Sequence, residues 1–437
     1  MGRSVARDWW LQPLARLAWL LGIATLRIGA AQAAEPVEFD VSAYEKKPFE
    51  WNGYLELRPE YQRLDRGAAL YGLQFPGDTR TSLTRTNAAA ELSAVYRTGE
   101  MRLHYTGHAT YVHGPQGSAD DLRTYEAYGA WQAAANANLE AGKRALRWGK
   151  AYAFSPVAFF ERAKDPLDPE LSREGFVLAT GSWVRSAPGP LTTLSVTPVL
   201  LPVTDSLNDA YGSGNHWNAG AKLYALLHDT DIELVYAAPG SRGARWGVDF
   251  SRNLGTNLEV HGEWARFNDV PGVVLTPADT LVTQVRSFAS YVIGLRYLTE
   301  HQTTLIAEYY SNGGGLTQDQ AEQFFQRADA IGANQSLRSV IAQAASRGYV
   351  GPNAMRRYVY ARLSQPEPFD ILYVTPALTA IVNADDRSYT LIPELTFTRI
   401  ANLELRFRLQ FNHGDRWTEY GEKAVQSRAE LRMRYHF

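Results

Sequence analysis

The chain ends in the stretch "SRAELRMRYHF", in which Ala429, Leu431, Met433, Tyr435 and Phe437 share one parity and Arg428, Glu430, Arg432, Arg434 and His436 share the other. A period of two is the mark of an extended strand with one apolar and one charged face. The same division runs through "GYLELRPEYQ", where Leu55, Leu57 and Tyr61 oppose Glu56, Arg58, Glu60 and Gln62. In "NLELRFRLQF", Leu403, Leu405, Phe407, Leu409 and Phe411 oppose Glu404, Arg406, Arg408 and Gln410. It recurs in "MRLHYTGHATY", "AGAKLYA", "YVIGLRY", "LIAEYY" and "YTLIPELTFT", and is weak in "FDILYVTPALTAIV".

Strand signals of this kind number about 18, within a range of about 16 to 18, and fill the chain from 51 to 437. From the first strand onward every second link is short: "TGE", "ANAN", "APGP", "HDTD", "GTN", "EHQ", "PEPF" and "AN". The links between are usually longer, notably 65–84, 149–175, 204–215, 269–284, 313–355 and 413–426, although 240–242 and 384–387 are short. Short periplasmic turns alternating with long extracellular loops give this rhythm. A β-propeller would show a blade-length repeat, and the sequence has none. A soluble sandwich would use fewer, shorter strands. Strands of about 10 residues cross a bilayer at a tilt, and closure satisfies the edges that lipid cannot. The expected fold is therefore an all-β transmembrane antiparallel barrel, apolar parity to lipid and charged parity to the lumen.

Composition agrees. Mean hydropathy is −0.30, and past the N-terminus there is no apolar run of the length a membrane helix needs. The chain holds 24 Tyr, 11 Trp and 17 Phe, and Trp51, Trp131, Trp148, Trp183, Trp217 and Trp246 lie near expected strand ends, where amphipathic rings suit the headgroup level. The absence of cysteine excludes disulfides, thiolate metal sites, CxxCH haem and cysteine nucleophiles.

Residues 1–33 read as an export signal: Arg3 and Arg7, an apolar stretch, and the small-residue pattern Ala31-Gln32-Ala33 before the cleavage point. A retained signal anchor is disfavoured by Arg16 and Arg27. Removal takes away four Arg and one Asp and moves the formal charge from −2 to about −5, which argues against a nucleic-acid partner. Residues 34–50 form a short periplasmic segment that either meets a periplasmic protein partner or has no such role.

The inward parity is rich in Arg58, Arg102, Arg144, Arg296, Arg362, Arg406, Arg408, Arg432 and Arg434, with Glu56, Glu60, Glu91, Glu308, Glu394, Glu404 and Glu430. Facing Arg and Glu either form a rigid ladder of ion pairs or leave an excess of Arg that guides anions. Arg406, Arg408, Arg432 and Arg434 fall on adjacent strands and make the best basic stripe.

After a strand expected to end at Trp148-Gly149, the link 149–175 carries Phe154, Phe159, Phe160, Glu161, Arg162, Lys164, Asp165, Asp168, Glu170 and Arg173. It either folds into the pore and narrows it, aromatics on the wall and charges toward the solute, or stays an exposed loop. Asp165, Asp168 and Glu170 offer oxygens to Ca²⁺, but the EF-hand spacing is absent and no metal is expected. In 313–355, Leu316, Ala321, Phe324, Phe325, Ala328 and Ile331, then Leu337, Val340, Ile341 and Ala344, recur at helical spacing. Two short helices behind Gly313-Gly314-Gly315 form either a lid over the mouth or a packed outer decoration.

His104 and His108 have the spacing of a helical metal pair, but on a strand they stand about 13 Å apart and cannot share one metal. With no GxSxG, HExxH, Walker A or dinucleotide fingerprint, no catalytic residue, cofactor or enzymatic role is expected.

The export signal, the alternating strands and the terminal "RMRYHF" resemble Gram-negative outer-membrane porins. The resemblance implies a cell outer-membrane channel set in lipid, with Phe437 read by the barrel-assembly machinery. Within that class, "GKRALRWG" followed by a long loop resembles the alginate-export type, and the arginines resemble those of basic-ladder porins for small carboxylates. The implied function is passive diffusion of an anionic solute, either an acidic polysaccharide or small carboxylates. The alternative is a barrel that docks an export complex or a periplasmic electron carrier.

Overall fold

The computed structural model describes residues 47–332 and 334–437. The expected export signal and most of the 34–50 segment lie outside the described residues. The strands are β1 (Phe49–Leu64), β2 (Ser82–Thr98), β3 (Met101–Gly114), β4 (Gly117–Ala134), β5 (Ala137–Arg144) and β6 (Phe176–Ser186). They continue as β7 (Leu191–Val203), β8 (His216–Leu227), β9 (Thr230–Ala237), β10 (Arg245–Asn253), β11 (Leu258–Leu275) and β12 (Leu281–Leu298). The last six are β13 (Thr304–Ser311), β14 (Arg357–Ser364), β15 (Val374–Asn383), β16 (Tyr389–Phe397), β17 (Leu403–His413) and β18 (Val425–His436).

Each strand pairs antiparallel with its sequence neighbours, and β1 pairs with β18, so the 18-stranded sheet closes on itself. Closure puts Leu55 opposite Tyr435 and Glu56 opposite Arg434, apolar beside apolar and acid beside base. Gly53 and Phe437 then exchange N–H···O bonds of 3.1 Å in both directions. Gly53 is required there: a Cβ would stand 2.8 Å from the Phe437 ring and closer still to the Glu91 carbonyl.

Leu57, Leu103, Leu234, Ile293, Phe407 and Leu431 are exposed on the outer face. An apolar surface wrapping a whole barrel is untenable against water and suits lipid. Trp51, Trp131, Trp183, Trp217 and Trp246 share this outer face, as the girdle reading requires. Trp148 does not. It is 5 % exposed, inside the barrel beyond the end of β5. That strand stops at Arg144 rather than Trp148 because the Ala145 N–H leaves the ladder and donates to the Glu126 side chain at 3.0 Å.

The inner face is divided. From β14 round to β1 it is charged, as the alternation implies, except on β15, whose inward residues are Ala377, Thr379, Ile381 and Asn383. From β6 to β11 it carries buried Leu178, Val199, Leu201, Val235, Ala237 and Ala265, so the expected charged parity is broken on that wall, where Lys222, Glu233, Asp249 and Glu263 still point inward. The reason is the 145–175 link, which covers those residues with Trp148, Val157, Phe159 and Phe160.

At the long-loop end, helix α1 (Ala69–Gln74) forms in a link that carries no clear helical signal. Two further helices, α2 (Gln318–Asp329) and α3 (Gln335–Ala344), stand where the helical spacing puts them. In α2, Thr317 accepts from the Gln320 N–H at 3.2 Å and Gln320 returns a bond to the Thr317 N–H, a capping box. Phe324, Phe325 and Ile341 join one buried cluster with Phe154 of the 145–175 link and the lumen-facing Tyr358 and Tyr360. The helices are thus packed onto the barrel mouth. The same cluster takes in Leu275 and Leu281, which extends β11 and β12 through most of the expected 269–284 loop and leaves 276–280 as the turn. Among the described residues no helix is long and apolar enough to cross a membrane.

Candidate functional site: an arginine stripe and an infolded loop

Inward-facing side chains of β14, β16, β17, β18 and β1 form two ion networks, one on β14, β16 and β17 and one on β18 and β1, which Asp168 joins through Arg408 and Arg432. Arg408 grips the Glu394 carboxylate through Nε at 2.9 Å and Nη2 at 2.7 Å. Arg362 reaches the same carboxylate at 3.2 Å and the Thr379 hydroxyl at 3.0 Å. Arg406 lies 3.2 Å from Glu404 and 3.9 Å from Glu394. On the closing seam, Arg434 holds Glu56 through Nε at 2.9 Å and Nη2 at 2.6 Å, its guanidinium 4.2 Å from the Tyr54 ring centre. Arg58 stands 3.6 Å from Glu60 and 3.9 Å from Glu430, and Arg428 stands 3.8 Å from Glu60.

The ion-pair ladder is formed, and the arginines outnumber the carboxylates. Forked Arg–carboxylate bonds of this kind are short, charge-assisted and directional, and they stiffen the wall. Yet Arg58, Arg362, Arg406, Arg408, Arg428, Arg432 and Arg434 face only Glu56, Glu60, Glu394, Glu404 and Glu430 on these strands. Seven cations against five anions leave a positive excess along the stripe.

The 145–175 link folds into the lumen. Its backbone is held by carboxylates of the opposite wall: Glu263 accepts from the N–H groups of Lys150 at 2.7 Å and Ala151 at 2.8 Å. Glu308 accepts from Ala153 at 3.0 Å and also from Tyr152. Backbone N–H groups that would otherwise be buried unpaired are satisfied in this way. Lys150 and Lys222 both reach Glu233, at 3.0 and 3.1 Å. Burying Val157, Phe159 and Phe160 adds roughly 1.5–3 kcal/mol per side chain. Inside the link, Glu161 accepts from the Trp148 N–H and pairs with Arg173 at 3.1 Å. Burial nevertheless pushes its carboxyl up to about 7.

From this anchored base the link reaches across the lumen. Asp168 accepts a hydrogen bond from Arg432 Nη2 at 2.7 Å and lies 3.6 Å from Arg408. The Arg432 side chain is 2 % exposed and also lies 3.7 Å from both Glu56 and Glu430. Burial alone would raise the Asp168 carboxyl, but Arg408 and Arg432 outweigh it and hold the group below its usual value. A carboxylate of the protein itself therefore occupies the stripe.

Of the other expected loop residues, Phe159 and Phe160 pack on the wall. Arg162 pairs with Glu174 at 3.1 Å, and Lys164 donates to the Ala151 carbonyl at 2.6 Å. Asp165 accepts from the Leu167 N–H at 3.0 Å, and Arg173 donates to the Arg162 carbonyl at 2.9 Å. Glu170 accepts from the Tyr152 hydroxyl at 3.0 Å, so Asp165, Asp168 and Glu170 turn to three different partners. Arg102, Arg144 and Arg296 face the lumen on β3, β5 and β12, apart from the stripe. Arg144 pairs with Glu140 and sits 5.1 Å from the Tyr128 ring centre, on which His104 stacks at 4.5 Å. His108 instead stacks on Tyr125 and lies 3.3 Å from Glu91.

Sequence reasoning missed Glu233 and Glu263 as loop anchors. The alternation in "EVHGEWA" marks Glu259, His261 and Glu263 as inward, but nothing local says that a distant backbone will come to them.

No family model and no curated protein matches the chain. Among solved structures it is similar to OccAB1 of Acinetobacter baumannii, at 12 % identity and a TM-score of 0.51 over 89 % of this chain and 96 % of that one. It is also similar to OccK11 (OpdR) of Pseudomonas aeruginosa, at 12 % identity, with a TM-score of 0.50 over 89 % and 96 %. OccK3 (OpdO) of the same organism matches at 10 % identity with a TM-score of 0.50 over the same shares. At these identities the likeness is one of fold: a closed antiparallel barrel of 18 strands whose outer face is apolar.

Proposed function

We propose that the protein is an outer-membrane channel of the porin type that lets an anionic solute diffuse past the arginine stripe. The supporting observation is the pair formed by Asp168 with Arg432 and Arg408: a carboxylate is already bound where a solute carboxylate would have to pass. An acidic polysaccharide such as alginate and small carboxylates share that group, and the stripe suits either. Residues 1–33 would direct export, and Phe437 would present the closing strand to the assembly machinery.

Liposome swelling separates the candidates. Glucuronate should enter proteoliposomes faster than glucose, and inhibition of that entry by uronate oligomers, but not by neutral ones, would favour the polymer. Equal entry of glucuronate and glucose would overturn selectivity for anions. The second reading, a barrel that only docks a periplasmic or export component, draws support from the buried cluster that packs α2 and α3 onto the mouth. It requires that neither solute enter.

A further inference from the structure

Two guanidinium groups at the long-loop end lack the carboxylates that the stripe arginines have. The link 238–244 joins β9 to β10 on the same end as 65–81 and 145–175. Arg242 lies there with its guanidinium 4.0 Å from the centre of the Tyr211 ring. Arg245, the first residue of β10, has its guanidinium 5.2 Å from the Phe267 ring centre. It shares the inward parity of Gly247 and Asp249, while Trp246 points outward and is exposed. Among the described residues neither guanidinium forms an ion pair with a carboxylate, and Arg245 Nε is buried without a hydrogen-bond partner. Burial holds the Arg242 guanidinium below its usual value, against only Tyr211.

The site is built rather than loose. Tyr211 is buried, stacked 6.0 Å from Phe160 and edge-on to Phe176. The backbone that presents Arg242 is pinned by Asn218, which accepts from the Ser241 N–H at 2.8 Å and donates to the Ser241 hydroxyl at 3.2 Å. Gly243 permits a close approach, since a Cβ there would collide with the Asn268 carbonyl oxygen. A cation–π contact offsets only part of the cost of desolvating an unpaired ion. The shortfall is what an anion from outside would meet, and a planar guanidinium suits a carboxylate in particular.

We propose that Arg242 and Arg245 form a capture site for the carboxylate of an entering solute, at the long-loop mouth and on the wall opposite the stripe. In the strand order β9 and β10 lie half-way round from the β18–β1 seam, so the two basic sites face each other across the lumen. This rests on the channel reading above. Because Arg245 has the inward parity of β10 and Arg242 lies against Tyr211 of the lumen-filling cluster, the carboxylate comes from a solute rather than from the surrounding lipid.

The test uses the full-length barrel in planar bilayers with glucuronate added to one side at a time and glucose as the neutral control. R242Q/R245Q should raise the half-blocking glucuronate concentration from the long-loop side about fivefold or more and leave block from the short-turn side unchanged. R242K/R245K should recover part of it. Unchanged block from both sides, equal weakening from both sides, or no glucuronate block of the parent barrel would overturn the site. If the double variant does not assemble, R242Q alone carries the same comparison. A parent barrel without anion selectivity would sink the channel reading; an anion-selective parent with an unaffected variant sinks only the capture site.

Discussion

Asp168 Oδ2 lies 2.7 Å from Arg432 Nη2, although 264 residues separate them, and this bond joins the infolded loop to the last strand of the barrel. The loop base is fixed to β11 and β13 through Glu263 and Glu308, so the bond completes a bridge over the lumen. Any anion using the stripe competes with Asp168 for Arg432 and Arg408. Asp168→Asn should therefore raise the anion-to-cation permeability ratio and lengthen single-channel openings. An unchanged ratio would mean that solutes do not pass this contact.

Arg432 is the buried member of the stripe, shared by Asp168, Glu56 and Glu430. Removing it leaves three carboxylates short of a cation, and breaking a buried pair commonly costs about 3–5 kcal/mol. Arg432→Gln should lower anion permeability and the unfolding temperature together. Arg434→Lys, which keeps the charge and loses the two-bond grip on Glu56, should lower only stability. A normal melting temperature in Arg432→Gln would contradict this placement.

At the seam, Gly53→Val would push a side chain into the Phe437 ring and the Glu91 carbonyl. Overpacking of that kind costs about 1–3 kcal/mol. The variant should lose the heat-resistant, fast-migrating form of a closed barrel at a lower temperature on gels. Gly129→Ala, where the nearest contact is 3.6 Å from a flexible Leu103 methyl, should migrate like the parent.

Loop docking should depend on pH in a defined direction. Burial moves the Glu161 carboxyl from 4.5 to about 7 when the loop is docked, so the docked loop keeps a proton that a released loop gives up. Docking weakens as pH rises through that window, by about 1.4 kcal/mol per unit at most, and levels off above it. Asp168 works the other way: held below its usual value, it supports docking above the ordinary carboxylate range and withdraws that support as pH falls below it. After correction for intrinsic exchange, amide protection of residues 150–165 should be greater at pH 5 than at pH 8. Glu161→Gln should flatten that difference, and its persistence in the variant would refute the assignment.

The barrel was legible because period-two patterning reports which face a strand presents, and the strands of "NLELRFRLQF" and "SRAELRMRYHF" state it without conflict. Arg406, Arg408, Arg432 and Arg434 all face inward into ion pairs for the same reason. On β6 and β7 both faces are largely apolar, and no local signal separates lipid from a lumen filled by a folded loop. The partners of Glu263, Glu308 and Arg432 lie more than 100 residues away in sequence, so their contacts are products of tertiary packing. Of the ten loop residues singled out by type, only Asp168 reaches the stripe; the loop consumes Lys164 and Arg173 in holding its own shape.

The most direct measurement is the reversal potential of the purified barrel in a planar bilayer under a potassium chloride gradient. An excess of arginine along the lumen should make chloride the more permeant ion, with selectivity reduced in Arg408→Gln/Arg432→Gln. A cation-selective potential, or a barrel that carries no current under any voltage, would contradict an anion path through this molecule.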